Sequence, residues 1–363
     1  FANNRQFFEK YYADMMVVNG VDAQTNSHSA GIIHNGSGRI SEGYPSIQSL
    51  VSNAYAPDLP LSYVSNGAYA ETARLIRYSR IDDPSQLKTI INANQARWDQ
   101  DNSNFHADDW QRLQRYQQER IARLSGQSNL MPRQQNNRDG FLSGMAGSGD
   151  LRAFADTLPA PDQFQADQQL GEFHSSLMRQ IQMVLLAFQS GTAMSGDLLL
   201  SGFDTHGNHD ADHSLLLSHL TDSIDYLWTY AEQLGLADRI RLVISSDFGR
   251  TPSYNSDGGK DHWPIGSFIF MQKNAPWGNR VVGATDEGHN ALKINPGTLQ
   301  QDSGGTLIYP SHVHDAMRNY FGLANDADTA LFPLANTSSL DLFNQNLMTV
   351  QSTSDPRNIT RLV

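Results

Sequence analysis

Ile240-Arg241-Leu242-Val243-Ile244-Ser245-Ser246-Asp247-Phe248-Gly249-Arg250-Thr251-Pro252 decides how this chain is read. An apolar, β-branched run stops abruptly in serine, aspartate, glycine and arginine, the pattern of a buried strand that surfaces at its carboxyl end. An aspartate at that point has to be paired, hydrogen-bonded or bound to metal. Two further clusters follow the same plan. Gly202-Phe203-Asp204-Thr205-His206-Gly207-Asn208-His209 comes after the apolar run Asp197-Leu198-Leu199-Leu200. Asp257-Gly258-Gly259-Lys260-Asp261-His262-Trp263-Pro264 comes just before Ser267-Phe268-Ile269-Phe270-Met271. Acids and histidines at strand ends are where open α/β sheets place ligand chemistry.

Working outward, Arg5 to Met16 has helical spacing and Met15 to Val21 reads as a strand. The small polar run Asp22 to Gly31 then reads as a strand-to-helix turn in which Asn26 or Ser27 caps the helix. Such a turn exposes a hydroxyl beside free backbone N–H groups and favours anions. A helix is expected from Ser46 to Ala54, a short strand at Leu61 to Val64, and a strong helix from Phe173 to Phe188. The pattern is helical from Gln86 to Leu124, whereas residues 125–149, rich in Gly, Ser, Asn and Gln, read as a long mobile loop. Strand 197–203, helix 210–234, strands 240–247, 267–272 and 280–282, and a helix 312–321 stopped by Gly322 complete the series. Residues 335–363 show no period and read as an irregular tail. This alternation predicts one α/β domain over residues 1–363: a mainly parallel central sheet with helices on both faces, plus a helical insertion and its loop at 86–150.

The chain has 363 residues, 39% of them hydrophobic and 18% charged, which suffices for a sizeable core. A formal net charge of −12 argues against nucleic acid and against anionic membrane surfaces. An anionic substrate would therefore need local help from metal ions or a few arginines. No apolar run approaches the roughly 18 residues of a membrane span. With 0 cysteines there is no disulfide framework and no thiolate site. Phe1 to Arg5 lacks the basic start and apolar core of a signal peptide, so the protein is either cytoplasmic or has its export signal upstream of residue 1.

Each candidate residue has a plainer reading. Asp204 and His206, two apart on an extended segment, point the same way and can share one ion; the alternative is an Asx turn capping the helix near Asp210. His209 and His213, four apart on a helix, are a ligand pair or simply exposed. Asp247 is a ligand, or is neutralised by Arg250, the candidate catalytic cation. Gly258 and Gly259 let the chain bend ahead of His262, which is a ligand or a core histidine bonded to Asp261. Ser27 is a cap, or a nucleophile that metal coordination would activate. His312 and His314 begin a helix, where i and i+2 diverge, and read as structural. Carboxylate oxygens with imidazole nitrogens suit a divalent metal, zinc first, with manganese, calcium or magnesium as alternatives.

Taken in order, these motifs resemble the alkaline-phosphatase-like superfamily of metal-dependent phosphate and sulfate ester hydrolases and phosphomutases. Within it they look most like a bacterial branch usually exported by the twin-arginine route. Phe203 to Asn208, Phe248 to Pro252, Gly259 to His262 and Gly283 to Glu287 carry the resemblance, over roughly residues 170–325. Residues 1–50 match more loosely: Asn26-Ser27, Gly31 and Gly36-Ser37-Gly38-Arg39 are similar to the nucleophile segment of cofactor-independent phosphoglycerate mutases. The resemblance implies that Ser27 takes the phosphoryl or sulfuryl group, that Asp204, His206 and His262 hold one metal, and that Asp247 holds another. Phe248 stands where that superfamily has a metal-binding histidine, and the domain looks short of its first strand. The expectation is a periplasmic or extracellular hydrolase of a small anionic ester or of a sulfated or phosphorylated polymer. The alternative is a non-catalytic binding or assembly protein of the envelope or extracellular space, forming a homo-oligomer or engaging an assembly partner.

Overall fold

The computed structural model describes residues 4–81, 94–96, 102–146, 148–335 and 338–345. Helix α1 (Asn4–Tyr11) leads into β1 (Met15–Asp22), followed by α2 (His28–Ser37), α3 (Ile47–Tyr55), β2 (Tyr63–Val64) and β3 (Tyr78–Ser79). Helices α4 (Ala107–Ser125), α5 (Pro132–Ala146) and α6 (Ser148–Thr157) precede a hairpin of β4 (Gln168–Leu170) and β5 (Phe173–Ser175), then α7 (Leu177–Gln189) and β6 (Ser195–Gly196). The remainder comprises α8 (His209–Gln233), β7 (Leu242–Ser245), β8 (Gly249–Arg250), β9 (His262–Trp263), β10 (Ile265–Met271), β11 (Arg280–Val282) and α9 (Pro310–Tyr320). Among the described residues no helix is long and apolar enough to cross a membrane.

The fold is mixed α/β, and the main sheet runs in the order β11-β1-β10-β7. β1 is parallel to β11 and antiparallel to β10, and β10 is antiparallel to β7. The expectation of a mainly parallel sheet is therefore corrected. The segment between β7 and β10 folds as a hairpin, β8 against β9, at the rim where β7 ends. It does not cross back to the opposite edge, as a parallel neighbour requires, so β10 has to run the other way. The register pairs Asp22 with Ile265 and Ser245 with Phe268. The carboxyl ends of β1 and β7 and the amino end of β10 thus share one rim.

The period of two along β1 sends Met16 and Val18 to one core, with Phe268, Phe270, Trp277, Val313 and Met317. Met15 joins a second core on the other face, with Leu177, Ile181, Ile224, Leu227 and Trp228. Burying each such side chain is worth about 1.5–3 kcal/mol, so β1 is pinned from both sides.

Two segments differ from expectation. Residues 197–203 are irregular rather than a strand. The buried Asp197 explains this: its carboxylate accepts from the backbone N–H groups of Asn66 (2.9 Å) and Ala68 (3.1 Å) and from the Tyr63 hydroxyl (2.6 Å), which pulls the chain out of a ladder. Much of 125–149, expected as a loop, lies in α5 and α6. Pro132 supplies a helix-ready first residue, and the Gln134 side chain accepts from the Met131 N–H at 3.0 Å. The expected helix from Gln86 is described only from Ala107, and the tail at 335–363 lies outside the described residues beyond 345.

Candidate metal centre

Three segments converge on the rim. The turn after β1 ends at Ser27, and α2 opens with His28. The irregular stretch after β6 supplies Asp204 and His206. The excursion from β7 to β10 supplies Asp247, Arg250 and His262. α2 seats closely on this excursion: the Asn35 side chain donates to the Asp247 carbonyl at 2.6 Å, and a β-carbon on Gly31 would fall 2.6 Å from the same oxygen.

His28, Asp204 and His262 offer ligand atoms that all lie within 4.8 Å of one another. His28 Nε2 is 3.3 Å and His262 Nε2 3.1 Å from the Asp204 carboxylate. His206 stands beside them, its Nε2 3.0 Å from Asp204 Oδ1 and 2.9 Å from His262 Nε2. The opposite nitrogen of each ring faces an oxygen: Asp247 Oδ2 for His28 (2.5 Å), the Asn26 carbonyl for His262 (2.7 Å) and Asp261 Oδ1 for His206 (3.0 Å). A carbonyl only accepts, so the Nδ1 of His262 carries the proton; the carboxylates favour the same tautomer in the other two. Three Nε2 atoms thus face the Asp204 carboxylate, which also pairs with Arg250. Among the described residues His28 Nε2 is buried without a hydrogen-bond partner. Imidazoles oriented through Nδ1 by carboxylate and carbonyl are the outer shell that divalent sites require. The donor set fits a divalent ion.

Phe248 is buried, and its ring centroid lies 4.9 Å from that of His28 and 4.6 Å from that of His262. It ligates nothing and instead packs both rings in place. Arg250 pairs with Asp204 rather than with Asp247, and also donates to the Lys260 carbonyl at 3.1 Å. Burial alone would raise the Asp204 pKa, but the hydrogen bond and charge of Arg250 outweigh it and hold the carboxyl well below the usual range. It therefore stays ionised.

Sequence reasoning placed Asp204, His206, Asp247, Arg250 and His262 near one another, and they meet at this rim. It singled out Ser27 and passed over His28. Ser27 is exposed at the N-cap of α2, and its side chain makes no capping hydrogen bond. The signal for His28 lay in the quoted turn itself: an imidazole at the first residue of a helix that starts on the rim. His209 and His213 stack with ring centroids 4.5 Å apart, and the Nδ1 of His209 meets the Thr205 hydroxyl at 2.6 Å. Burial, then the charges of His209, Arg250 and Lys260, push His213 down to about 4. His312 and His314 are structural as expected, with His314 Nε2 donating to the Asn35 carbonyl at 2.9 Å.

The family model described as Protein of unknown function (DUF1501) matches residues 3–302, and the chain belongs to that family. No curated protein and no solved structure matches the chain. The resemblance to alkaline-phosphatase-like hydrolases is corrected on two counts. The matching family is DUF1501, and the sheet is mixed, with β10 antiparallel between β1 and β7.

Proposed function

We propose that the protein is a metal-dependent hydrolase of phosphate or sulfate esters, with His28, Asp204 and His262 as ligands and His206 beside them. The observation that carries this reading is the meeting of those ligand atoms within 4.8 Å from three distant parts of the chain. Neutral imidazoles with one carboxylate suit zinc, and three protein ligands with a position left for water or substrate are the catalytic rather than the structural pattern. When bound, such an ion stabilises charge developing on an ester oxygen and lowers the pKa of a hydroxyl it binds. The chain's own groups do the rest. Asp247 and Asp261 hold His28 and His206 with their lone pairs inward. Arg250 keeps Asp204 ionised and presents positive charge to an anionic ester, locally offsetting a chain of net charge −12. Ser27 is the candidate nucleophile: exposed, directly before a ligand, and at the start of a helix whose free N–H groups favour an anion. The substrate is then a small ester or a sulfated or phosphorylated polymer, met in the periplasm or outside the cell; cell fractionation checks that placement.

The test compares zinc-loaded and chelator-treated protein on aryl phosphate and aryl sulfate esters. Turnover should vanish on chelation and in His28→Ala. In Ser27→Ala it should vanish while zinc is still bound. Undiminished hydrolysis after chelation would sink the proposal. Full zinc occupancy with no ester cleaved would favour a non-catalytic binding or assembly protein instead.

A further inference from the structure

The pair His209 and His213, at the start of α8, stands beside the metal centre without an assigned task. Its rings stack 29° from parallel with centroids 4.5 Å apart. An ion bound by both would have to lie in the plane of each ring, about 2.0–2.1 Å from a nitrogen of each. Rings stacked in this way offer no such point, so the pair is not a chelate. Both Nδ1 atoms turn instead to one hydroxyl, that of Thr205, at 2.6 Å for His209 and 3.4 Å for His213. A hydroxyl donates once and accepts twice, so it can serve both nitrogens.

Thr205 sits between Asp204 and His206, two residues of the rim cluster. Among the described residues no strand ladder holds 201–205, and Thr205, 4% exposed, is the one buried residue of 201–208. Its carbonyl accepts from the Lys260 N–H at 3.1 Å, which ties the backbone to the excursion that carries His262. Its side chain ties the same residue to α8. That helix is fixed in turn, because Ile224, Leu227 and Trp228 further along it are buried in the second core. Phe203 meets the His213 ring edge-on, with centroids 5.1 Å apart, and adds a second hold. α8 is thus a bracket, and Thr205 is the peg that hangs a ladder-free segment on it. Because Asp204 and His206 are its direct neighbours in the chain, any shift of Thr205 is passed to both. We propose that Thr205 and His209 are positioning residues: their hydrogen bond sets the approach of Asp204 and His206 to the ion, and neither residue ligates it. The inference rests on the reading of the rim as a metal centre and not on the reaction.

Cobalt(II) is the probe, titrated into the metal-free full chain and followed by its visible absorption, which reports both affinity and ligand geometry. Thr205→Val keeps the shape and removes the hydroxyl. Thr205→Ser keeps the hydroxyl and loses a buried methyl. The expected result is that Thr205→Val binds cobalt about tenfold more weakly with a changed spectrum, while Thr205→Ser matches wild type in both. His209→Leu, at a half-buried position, should repeat the effect of Thr205→Val and keeps the proposal testable if the threonine variant misfolds. Thermal melts of the same proteins separate positioning from stability, since a loss through stability alone would fall on Thr205→Ser as well. An unchanged cobalt titration in Thr205→Val, or equal losses in Thr205→Val and Thr205→Ser, would overturn the proposal. So would loss of cobalt binding in His209→Leu with none in Thr205→Val, since His209 would then be a ligand. Wild type that takes up no cobalt would instead refute the metal centre itself, and the proposal with it.

Discussion

The Nδ1 of His28 and the Oδ2 of Asp247 meet at 2.5 Å, across the seam between α2 and the turn that follows β7. The contact fixes which face of the imidazole looks toward Asp204. An aspartate read from sequence as a metal ligand is thus hydrogen-bonded to a candidate ligand, His28, that was overlooked.

That division of labour separates the two residues experimentally. His28→Ala removes a donor, whereas Asp247→Asn leaves the donor and loosens its orientation. Zinc affinity, measured against a chromophoric chelator, should fall about 10–100-fold in Asp247→Asn and further in His28→Ala. Equal affinity in wild type and Asp247→Asn would show that the contact does not orient a ligand.

Metal binding should register as stability. Zinc at about a hundred times its dissociation constant adds about 2.7 kcal/mol to a fold that binds it only when native. Chemical denaturation with and without zinc measures this. His262→Ala should erase the increment while leaving the metal-free curve nearly unchanged, since that side chain is part-exposed.

The neighbouring glycines of the excursion make a graded pair. Gly258 has φ +68° with open space around it, so Gly258→Ala meets only backbone strain, about 1–2 kcal/mol. Gly259 has the His206 backbone carbonyl where a β-carbon would be. Gly259→Ala should cost more than Gly258→Ala in thermal melts, and it alone should also weaken zinc binding, because His206 has to move.

His314 is fully buried, and burial lowers its pKa from 6.5 to about 3 against the opposing hydrogen bond to Asn35. Below 6.5 the unfolded chain takes up a proton that the folded imidazole refuses, so its contribution to stability is complete above 6.5 and is lost as the pH falls toward 3. The slope from this residue approaches about 1.4 kcal/mol per pH unit. Urea denaturation from pH 7 to 4 should show a shallower fall in His314→Gln than in wild type. Parallel curves would refute the assignment.

What the sequence disclosed, and what it hid, follows from the range of the forces involved. The strands β1, β7 and β10 were legible because apolar runs report burial directly. Asp204, Asp247 and His262 were legible because acids and imidazoles next to such runs need partners. Strand direction was not, since apolar runs look alike whichever way the chain travels; the clue was the lack of any helix between β7 and β10. The segment 197–203 looked like a strand until Asp197 was seen gathering Tyr63, Asn66 and Ala68, contacts more than a hundred residues distant. Phe248 looked like a missing ligand and turned out to pack against two candidate ligands, His28 and His262, which only the ring contacts could reveal.

The return of β10 between β1 and β7 gives residues 246–264 the form of a lasso tied at both ends into one sheet. Asp247, Arg250 and His262 ride on it together. His28 and Asp204 meet this span from outside it, so an ion held there would fasten the loop to α2 and to the stretch after β6.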